Sequence, residues 1–436
     1  MRLGIDYGTS HTVAVLAWPD GRRRPLHFGS SPLLPSAVHA GTTVQTGQDA
    51  LRAGLGDPAG LEPNPKRRVD DGEVLLGETA HSVADLIAAT LRTVWDEAVR
   101  VTERPPTDVV LTHPADWGAV RRGLLAEAAR RAGIPSPAYL PEPVAAATFF
   151  VNEARARVPA GSLAVVYDLG AGTFDASLVR RPGEGFEVLA TGGLGDVGGL
   201  DLDGVVVDRI GAVVSRDDPA MWRRLTRPAN PAESRARHAL WTEARNAKEA
   251  LSRQASAHLF VPLLDRDLPV SREEFERDAT PLLERTTATM TALVERSGVA
   301  WPQVAAVFLV GGSSRVPLAA TLVHRACGIA PTVVEQPELV VAEGGVLAAK
   351  PKPRKKTAPP AAPAPRPLPP ALARILDAAI ETVRTADAYD LVGPRGDLME
   401  ILAATDPARA LRLDGVLGAD LQLRSALTEL ATTSPS

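Results

Sequence analysis

Two short segments of the chain end a β-prone apolar run with the pattern Asp-x-Gly and continue into small and hydroxyl residues. The first is LGIDYGTS at residues 3–10, and the second is VVYDLGAGT at residues 165–173. A further β-prone run follows each segment, so each copy is predicted to be a hairpin with glycines in its turn. The two aspartates, Asp6 and Asp168, are 162 residues apart. This spacing suggests two similar α/β halves that contribute one hairpin each to a shared cleft.

The residue types in these turns fit the chemistry of phosphate binding. Glycine allows positive φ and a close approach of the backbone, so successive N–H groups can converge on phosphate oxygens. A carboxylate beside a polyphosphate is useful when a hard cation lies between them, which makes Asp6 and Asp168 candidate anchors for Mg²⁺ through its waters. The hydroxyls of Thr9, Ser10 and Thr173 would complete the phosphate shell. One Asp-x-Gly is usually a simple turn, but the pair favours a nucleotide site.

A third glycine turn, GGSSRVP at residues 311–317, follows the strand-like run 307–310 and enters a helix predicted over 317–327. A junction of this kind lets an adenosine group lie against bare backbone, and Arg315 could stack on the base through its planar guanidinium. Taken alone, the motif fits a tight strand-to-helix connection equally well.

The elements that must position these turns alternate along residues 1–349. Strand-like runs are predicted at Leu3–Ile5, Val13–Leu16, Val109–Leu111, Leu163–Tyr167, Ala176–Val179 and Val307–Val310. Amphipathic helices are predicted at 82–100, 118–132 and 235–252. Strands interleaved with helices predict an α/β architecture with mixed or parallel sheets.

Composition limits the classes of function. The 436 residues contain 48 Lys and Arg against 52 Asp and Glu, a net charge of −4, so no overall positive field favours nucleic acid. Cys327 is the one cysteine, which excludes an internal disulfide or a cysteine-based zinc site and suits a reducing cytoplasm. No apolar run approaches the roughly 20 residues of a membrane span. Asp6 interrupts what would be the core of a signal peptide, so we expect a cytoplasmic protein.

The prolines divide the chain. Nine of the 38 prolines lie between Pro351 and Pro370, in a stretch from Lys350 that has six Lys or Arg and no acid. Residues 350–370 are therefore predicted to be an extended, basic, proline-rich linker. Beyond it, apolar residues recur at helical spacing, which predicts a small helical module over 371–436. We expect this module to contact a protein partner.

These motifs together resemble the ATPase domain of the seventy-kilodalton heat-shock (DnaK-type) chaperones, within the superfamily that also contains actin and sugar kinases. The resemblance covers nearly all of residues 1–349 and implies an actin-like fold, with two similar ribonuclease-H-like lobes around a nucleotide cleft. Three further segments support it: PNPKRRV at 63–69, LPEPVAAA at 140–147 and NAKEALS at 246–252.

The resemblance implies that the chain binds ATP or ADP with Mg²⁺, which Asp6 and Asp168 would position. It implies four catalytic residues: Lys66 at the γ-phosphate, Glu142 and Thr173 at the attacking water, and Asp175 near the metal. It also implies a set of nucleotide contacts: Gly8, Thr9, Ser10, Gly170, Ala171, Gly172, Thr173, Gly198, Gly199, Lys248, Ser252, Gly311, Gly312, Ser313 and Arg315.

The sequence departs from the family pattern at several places. Ala171 replaces the middle glycine of the second phosphate turn; if that position needs positive φ, the strain costs about 1 kcal/mol and slows turnover. Arg245 stands where the family usually has an acid that binds the ribose, and Glu249 where many members have a base against the adenine. After Lys350 we expect none of the alternating strands of the family's peptide-binding β-sandwich.

Three functions are compatible with these observations. The first is a chaperone-type ATPase whose nucleotide state gates lobe closure and a partner, together with co-chaperones or nucleotide-exchange factors. The second is a nucleotide-gated scaffold with little turnover, and the third is a small-molecule kinase of the same superfamily.

The sequence GLGDVG at 193–198 also matches the dinucleotide fingerprint G-x-G-x-x-G, although the second nucleotide-binding half already accounts for its glycines.

Overall fold

The computed structural model describes residues 1–348. The linker and the helical module predicted at 350–370 and 371–436 lie outside the described residues, so the division of the chain stays a prediction. Seventeen β-strands occur within residues 1–348: β1 (Arg2–Tyr7), β2 (His11–Ala17), β3 (Arg23–Pro25), β4 (Leu34–Pro35), β5 (Val38–Ala40), β6 (Val44–Thr46), β7 (Leu61–Glu62), β8 (Glu73–Leu76), β9 (Thr79–Ser82), β10 (Asp108–His113), β11 (Ala138–Pro141), β12 (Leu163–Leu169), β13 (Phe174–Arg180), β14 (Glu187–Leu194), β15 (Ser256–Val261), β16 (Arg266–Ser271) and β17 (Val304–Val310).

The same described residues contain ten α-helices, none of which has the length and apolar character needed to span a bilayer. Their bounds are α1 (Gly47–Gly56), α2 (Val83–Thr102), α3 (Ala119–Arg131), α4 (Glu142–Asn152), α5 (Gly199–Asp217), α6 (Pro219–Thr226), α7 (Pro231–Leu251), α8 (Arg272–Arg296), α9 (Pro317–Cys327) and α10 (Val340–Leu347).

The two larger sheets are built on one plan. In the first, the β1–β2 hairpin is extended by β3 next to β2 and by β10 parallel to β1, giving the order β11-β10-β1-β2-β3. In the second, the β12–β13 hairpin is extended by β14 next to β13 and by β17 parallel to β12, giving the order β14-β13-β12-β17. The predicted α/β fold with two similar lobes is confirmed.

Both faces of the first sheet are covered. Leu3 and Ile5 of β1 are fully buried in one apolar cluster with Ile87 and Leu91 of α2. On the other face, β1 approaches α10 so closely that a Cβ on Gly4 would lie 2.6 Å from the carbonyl oxygen of Ala342. Burial on both faces explains why β1 is apolar almost throughout instead of alternating.

The second sheet is covered in the same way. Tyr167, Leu169 and Phe174 face a cluster formed with helices α5, α7, α8 and α9. The opposite face packs on α4, where the ring of Phe150 stacks on that of Phe308 with centroids 4.4 Å apart. The hairpin that carries Asp168 is therefore fixed from both sides.

Helices α4 and α10 join the two lobes. Helix α4 packs on the second sheet and α10 packs on the first, and the two helices pack on each other. Gly344 of α10 lies directly under Ala145 of α4, where a Cβ would overlap the Ala145 carbonyl oxygen. Only glycine at this position allows the two backbones to come so close.

The end of α10 is also tied to the start of the first sheet. Arg2 of β1 donates from Nη1 to the carbonyl oxygens of Val346 and Ala348, over 2.7 and 3.0 Å. These bonds satisfy carbonyl groups that the end of a helix leaves without an intrahelical partner.

The helix predicted at 235–252 begins four residues earlier, at Pro231. Asn230 precedes it, and the Asn230 side chain accepts a hydrogen bond from the backbone N–H of Glu233 over 3.0 Å. An asparagine cap followed by proline at the first helical position is a typical helix start. The apolar periodicity alone did not reveal it, because the first turn contains no large apolar residue.

Replacing Gly344 with alanine is expected to destabilise the fold by roughly 1–3 kcal/mol, because the new methyl group overpacks the contact between α4 and α10. Gly345→Ala is the matched control: its Cβ would meet Val110 and Thr112 side chains at ordinary distances of 3.6 and 3.7 Å, and alanine gains up to about 1 kcal/mol of helix propensity. Urea unfolding of both variants measures the difference. Equal midpoints would contradict the packing argument.

Candidate functional site

A cavity of about 1100 Å³ lies between the two hairpins. Both lobes contribute to its wall, and most of the residues singled out in the sequence are brought together there. The sequence-predicted residues that line the cavity are Asp6, Gly8, Thr9, Ser10, Lys66, Glu142, Asp168, Gly170, Ala171, Thr173, Asp175, Gly199, Lys248, Ser252, Gly311, Gly312, Ser313 and Arg315.

Two predicted phosphate contacts, Gly172 and Gly198, are not among the lining residues. A Cβ on Gly172 would lie 3.0 Å from Cγ2 of Thr9, so this glycine lets the phosphate turns of the two lobes touch. A Cβ on Gly198 would lie 2.7 Å from the Ala171 carbonyl oxygen. Both glycines serve close backbone packing around the second turn, and the structure does not bring them to the cavity wall.

The first turn is fixed by a neighbouring serine. Ser36 donates from its hydroxyl to the Gly8 carbonyl oxygen over 2.8 Å, and its N–H donates to the Ser10 carbonyl oxygen over 2.9 Å. A Cβ on Gly8 would overlap the carbonyl oxygen of His11, so the turn is too tight for a side chain at this position. The turn is therefore held in shape before any ligand binds.

The second turn is fixed by the start of α5. Gly170 closes the turn by donating its N–H to the Thr173 carbonyl oxygen over 3.0 Å. The N–H groups of Gly199 and Leu200 donate to the carbonyl oxygens of Gly170 and Ala171, over 3.0 and 2.8 Å. The carbonyl groups of the turn are thus used by the helix, which leaves other backbone groups of the turn to face the cavity.

The backbone of the first two glycine turns does not use positive φ. Among residues 1–348, the glycines with positive φ include Gly311 at 81° but neither Gly8 nor Gly170, and Ala171 is not among the non-glycine residues with positive φ. Close approach therefore explains the glycines of the first turn. Strain from the Ala171 side chain depended on positive φ at position 171, and because the backbone there is not left-handed this strain does not arise.

Four carboxyl groups crowd the floor of the cavity. Burial raises the pKa of the Asp6 carboxyl to about 7, and the charge of Glu142 adds to the rise. Burial also raises the pKa of Asp168 well above its usual value and that of Asp175 to about 6, with a further contribution from Glu142 in both. Thr112 of β10 donates to Asp6 Oδ1 over 3.1 Å. A bound cation would lower each of these pKa values.

Lys66 is the nearest counter-charge. Its Nζ lies 2.9 Å from Oε1 of Glu142, and both side chains are largely buried. Burial alone would lower the pKa of Lys66, but the carboxylates of Glu142 and Asp6 raise it, so the lysine stays charged. The indole ring of Trp117 covers the ammonium group, 5.6 Å from the ring centroid. This cation–π contact, which the sequence did not reveal, keeps Lys66 over the carboxyl groups.

The donor set at the floor of the cavity suits Mg²⁺. Asp6 and Asp168 supply one carboxylate from each lobe, and oxygen ligands are those that Mg²⁺ prefers. Within residues 1–348 no three carboxylate, imidazole or thiol groups are close enough to bind one ion directly. Waters would therefore fill most of the coordination positions, as the reluctance of Mg²⁺ to dehydrate requires.

The cavity wall also has a buried carboxylate that the sequence analysis did not identify. Asp203 of α5 is 1% exposed and forms ion pairs with two residues of α7. Lys248 Nζ lies 2.6 Å and Arg245 Nε 3.2 Å from its carboxylate oxygens. Lys248 also donates to the Gly199 carbonyl oxygen over 3.0 Å. Lys248 thus joins α7 to the start of α5, and Arg245 is held beside it at the cavity wall.

Arg315 is not free to swing over a base. Its Nη2 donates to the Glu335 carbonyl oxygen and to Oε1 of Glu338, both over 2.8 Å. The guanidinium group is therefore fixed along the cavity wall, where one of its faces can still contact a ligand.

The dinucleotide fingerprint at 193–198 lies in the wrong topology. Gly193 belongs to β14, which pairs with β13 in an antiparallel manner at the edge of its sheet. The fingerprint needs a parallel strand between two crossover helices. A Cβ on Gly193 would lie 2.8 Å from the Phe174 carbonyl oxygen, so hairpin packing accounts for this glycine.

Comparison with known proteins assigns this arrangement to a family. A family model described as Hsp70 protein matches residues 67–355, about two thirds of the chain. The chain belongs to the Hsp70 family. This confirms the resemblance on which the reading of the phosphate turns rests.

Several Hsp70-type relatives are similar over the same extent. The chaperone protein HscA homolog of Methylobacillus flagellatus is 30% identical over 375 residues, which cover 80% of this chain and 58% of that protein. The corresponding homolog of Pseudomonas fluorescens strain SBW25 is 32% identical over 378 residues, 80% of this chain and 57% of that protein. The chain spans less than three fifths of the length of these relatives.

For this Hsp70-family chain, Ala171→Gly is expected to leave ATP affinity and turnover unchanged, because the backbone at position 171 is not left-handed. The variant should be less stable by about 0.4–1 kcal/mol, since glycine raises the entropy of the unfolded chain. Urea unfolding and steady-state phosphate release measure the two effects. Faster turnover in the variant would show that the methyl group obstructs the ligand.

Proposed function

We propose that the chain binds ATP with Mg²⁺ in the cleft between the lobes and hydrolyses it to ADP and phosphate, as a chaperone-type ATPase. The observation that carries the proposal is the pairing of Asp6 and Asp168 at corresponding places in two like hairpins, with Lys66 and Glu142 at the same cavity. Family membership supports it independently. The chain spans only part of its relatives, so this activity rests on the cleft itself.

One group of residues in the cleft would contact the phosphates of ATP, and another group would contact the nucleoside. At the phosphate end, Lys66 would stabilise charge on the terminal phosphate, because its ammonium group is already fixed by Glu142 and Trp117. When bound, Mg²⁺ would neutralise charge on the phosphate oxygens. At the nucleoside end, Arg315 and the Gly311–Gly312 backbone would face the adenosine group.

Glu142 and Thr173 would position the water that attacks the terminal phosphate. Glu142 is an acceptor close to the carboxyl floor, and Thr173 donates from its hydroxyl to Asp175 Oδ2 over 3.1 Å. An acceptor and an oriented hydroxyl at one place are what positioning of an attacking water requires. Glu142 is engaged with Lys66 before any nucleotide binds, so ligand binding would have to share this contact.

The site also bears on the alternatives. A scaffold with little turnover was consistent with Ala171 and with the expected lack of a peptide-binding domain. The first of these grounds is removed, because position 171 does not have positive φ. The proposal therefore includes turnover, with nucleotide state gating lobe closure. We further propose a cytoplasmic location and a protein partner that contacts residues 371–436, with co-chaperones or exchange factors acting on the lobes.

Full-length protein is expected to bind ATP in the presence of Mg²⁺ and to lose most of its affinity when EDTA removes the ion, because four carboxyl groups would then face the phosphates. Isothermal titration calorimetry and the shift in thermal midpoint measure this. Asp168→Asn should weaken the Mg²⁺ dependence. The absence of heat and of any thermal shift with Mg·ATP would end the proposal.

Lys66→Ala is expected to lower the rate of ATP hydrolysis by about 10²-fold or more, since it removes a fixed charge that faces the terminal phosphate. Arg68→Ala is the matched control: Arg68 belongs to the same short helix but pairs with Glu62 and Asp71 away from the cavity. Phosphate release under saturating ATP is the measurement. If wild type and Lys66→Ala release phosphate equally slowly, the chain is a scaffold and not an ATPase.

A further inference from the structure

The cavity wall contains an imidazole to which the proposed chemistry gives no role. His11 is the first residue of β2 and directly follows the Gly8–Ser10 turn. It is partly buried and is the histidine among the residues that line the cavity. Within residues 1–348 neither of its ring nitrogens has a hydrogen-bond partner. Both nitrogens are therefore available to a ligand that binds beside the first turn.

The charged group that acts on His11 is a cation of the second lobe. Arg245 of α7 faces His11, and its Nε pairs with Asp203 over 3.2 Å. Lys248 of the same helix pairs with the same carboxylate over 2.6 Å. Strand β4, which pairs with β2 at His11, contains no charged residue. One buried carboxylate thus opposes two cations at this part of the wall, and within the described residues none pairs with His11.

These surroundings favour the neutral imidazole. Burial lowers the pKa of His11 from its ordinary 6.5 to about 4, and the charge of Arg245 contributes. A polyphosphate at the Gly8–Ser10 turn would act in the opposite direction, because negative charge close to an imidazole favours the imidazolium. Both ring nitrogens of an imidazolium donate hydrogen bonds, whereas the neutral ring has one donor. Protonation would therefore give His11 a second donor for phosphate oxygens.

We propose that His11 binds the polyphosphate of the nucleotide as an imidazolium, so that nucleotide binding takes up one proton. This inference rests on the proposed function, since the polyphosphate supplies the negative charge. The proton comes from solvent, adds to the ring nitrogen that carries none in the neutral form, and returns to solvent when the nucleotide leaves. Because the complex holds this proton more tightly than the free protein, the affinity due to His11 rises as the pH falls.

The first test measures the affinity of full-length protein for Mg·ADP by calorimetry at pH 5.5 and at pH 7.5. The affinity of wild type divided by that of His11→Asn isolates His11 from the carboxyl groups of the cavity and from the titration of the nucleotide itself. If the complex restores the ordinary pKa of 6.5, this ratio should be about tenfold larger at pH 5.5 than at pH 7.5. A ratio that does not change with pH would overturn the proposal.

His238→Asn is the matched control. Burial and the charge of Arg245 also lower the pKa of His238, but this residue is exposed and lies outside the set that lines the cavity. The variant is expected to keep the wild-type affinity at both pH values. If it loses the pH dependence to the same extent as His11→Asn, the proton is not taken up at His11 and the inference is wrong.

A nuclear magnetic resonance titration separates this inference from the proposed function. The imidazole signal that is missing from His11→Asn reports the ionisation of His11 in the wild-type protein. It should stay at its neutral position down to about pH 5 without nucleotide and titrate above about pH 6 with saturating Mg·ADP. Titration at the same pH in both samples would overturn the inference while leaving nucleotide binding intact. If wild-type protein binds no nucleotide, the proposed function and this inference fall together.

Discussion

The contact between α4 and α10 is the constraint on which the cleft depends. Each helix is packed on the sheet of one lobe, so the closeness of the two helices sets how the two hairpins are placed. A single methyl group at Gly344 would separate the backbones, because the Ala145 carbonyl oxygen already fills that space. Asp6 and Asp168 therefore meet at one cavity as a consequence of packing well away from either carboxylate.

The fold buries several carboxyl groups at the floor of the cavity and supplies too few cations to compensate their charge. Strand ends buried on both faces bring carboxyl groups out of water, and their raised pKa values record how poorly they are compensated. Lys66 neutralises one of them. The remaining charge makes the cavity a place where cations are needed before a polyphosphate can approach.

The hairpins and their glycine turns were predictable because the information is local. An apolar run such as 163–167, followed at once by Asp-x-Gly, encodes strand, turn and carboxylate within ten residues. The roles of Gly172 and Asp203 were not predictable. Gly172 is small because Thr9 of the other lobe approaches it, and Asp203 is buried because α5 packs on α7, which carries Lys248. These contacts join residues that are distant in sequence, so the periodicity of apolar residues cannot predict them.

The hydrogen bonds from Arg2 connect β1 to the end of α10, in addition to the packing of β1 against this helix. Ala348 is the last described residue, and its carbonyl oxygen accepts a hydrogen bond from Arg2. Asp6 lies four residues after Arg2 in β1. The last described residues of the chain are therefore bound to the strand that presents a carboxylate to the cleft, so a displacement of the end of α10 would also displace β1.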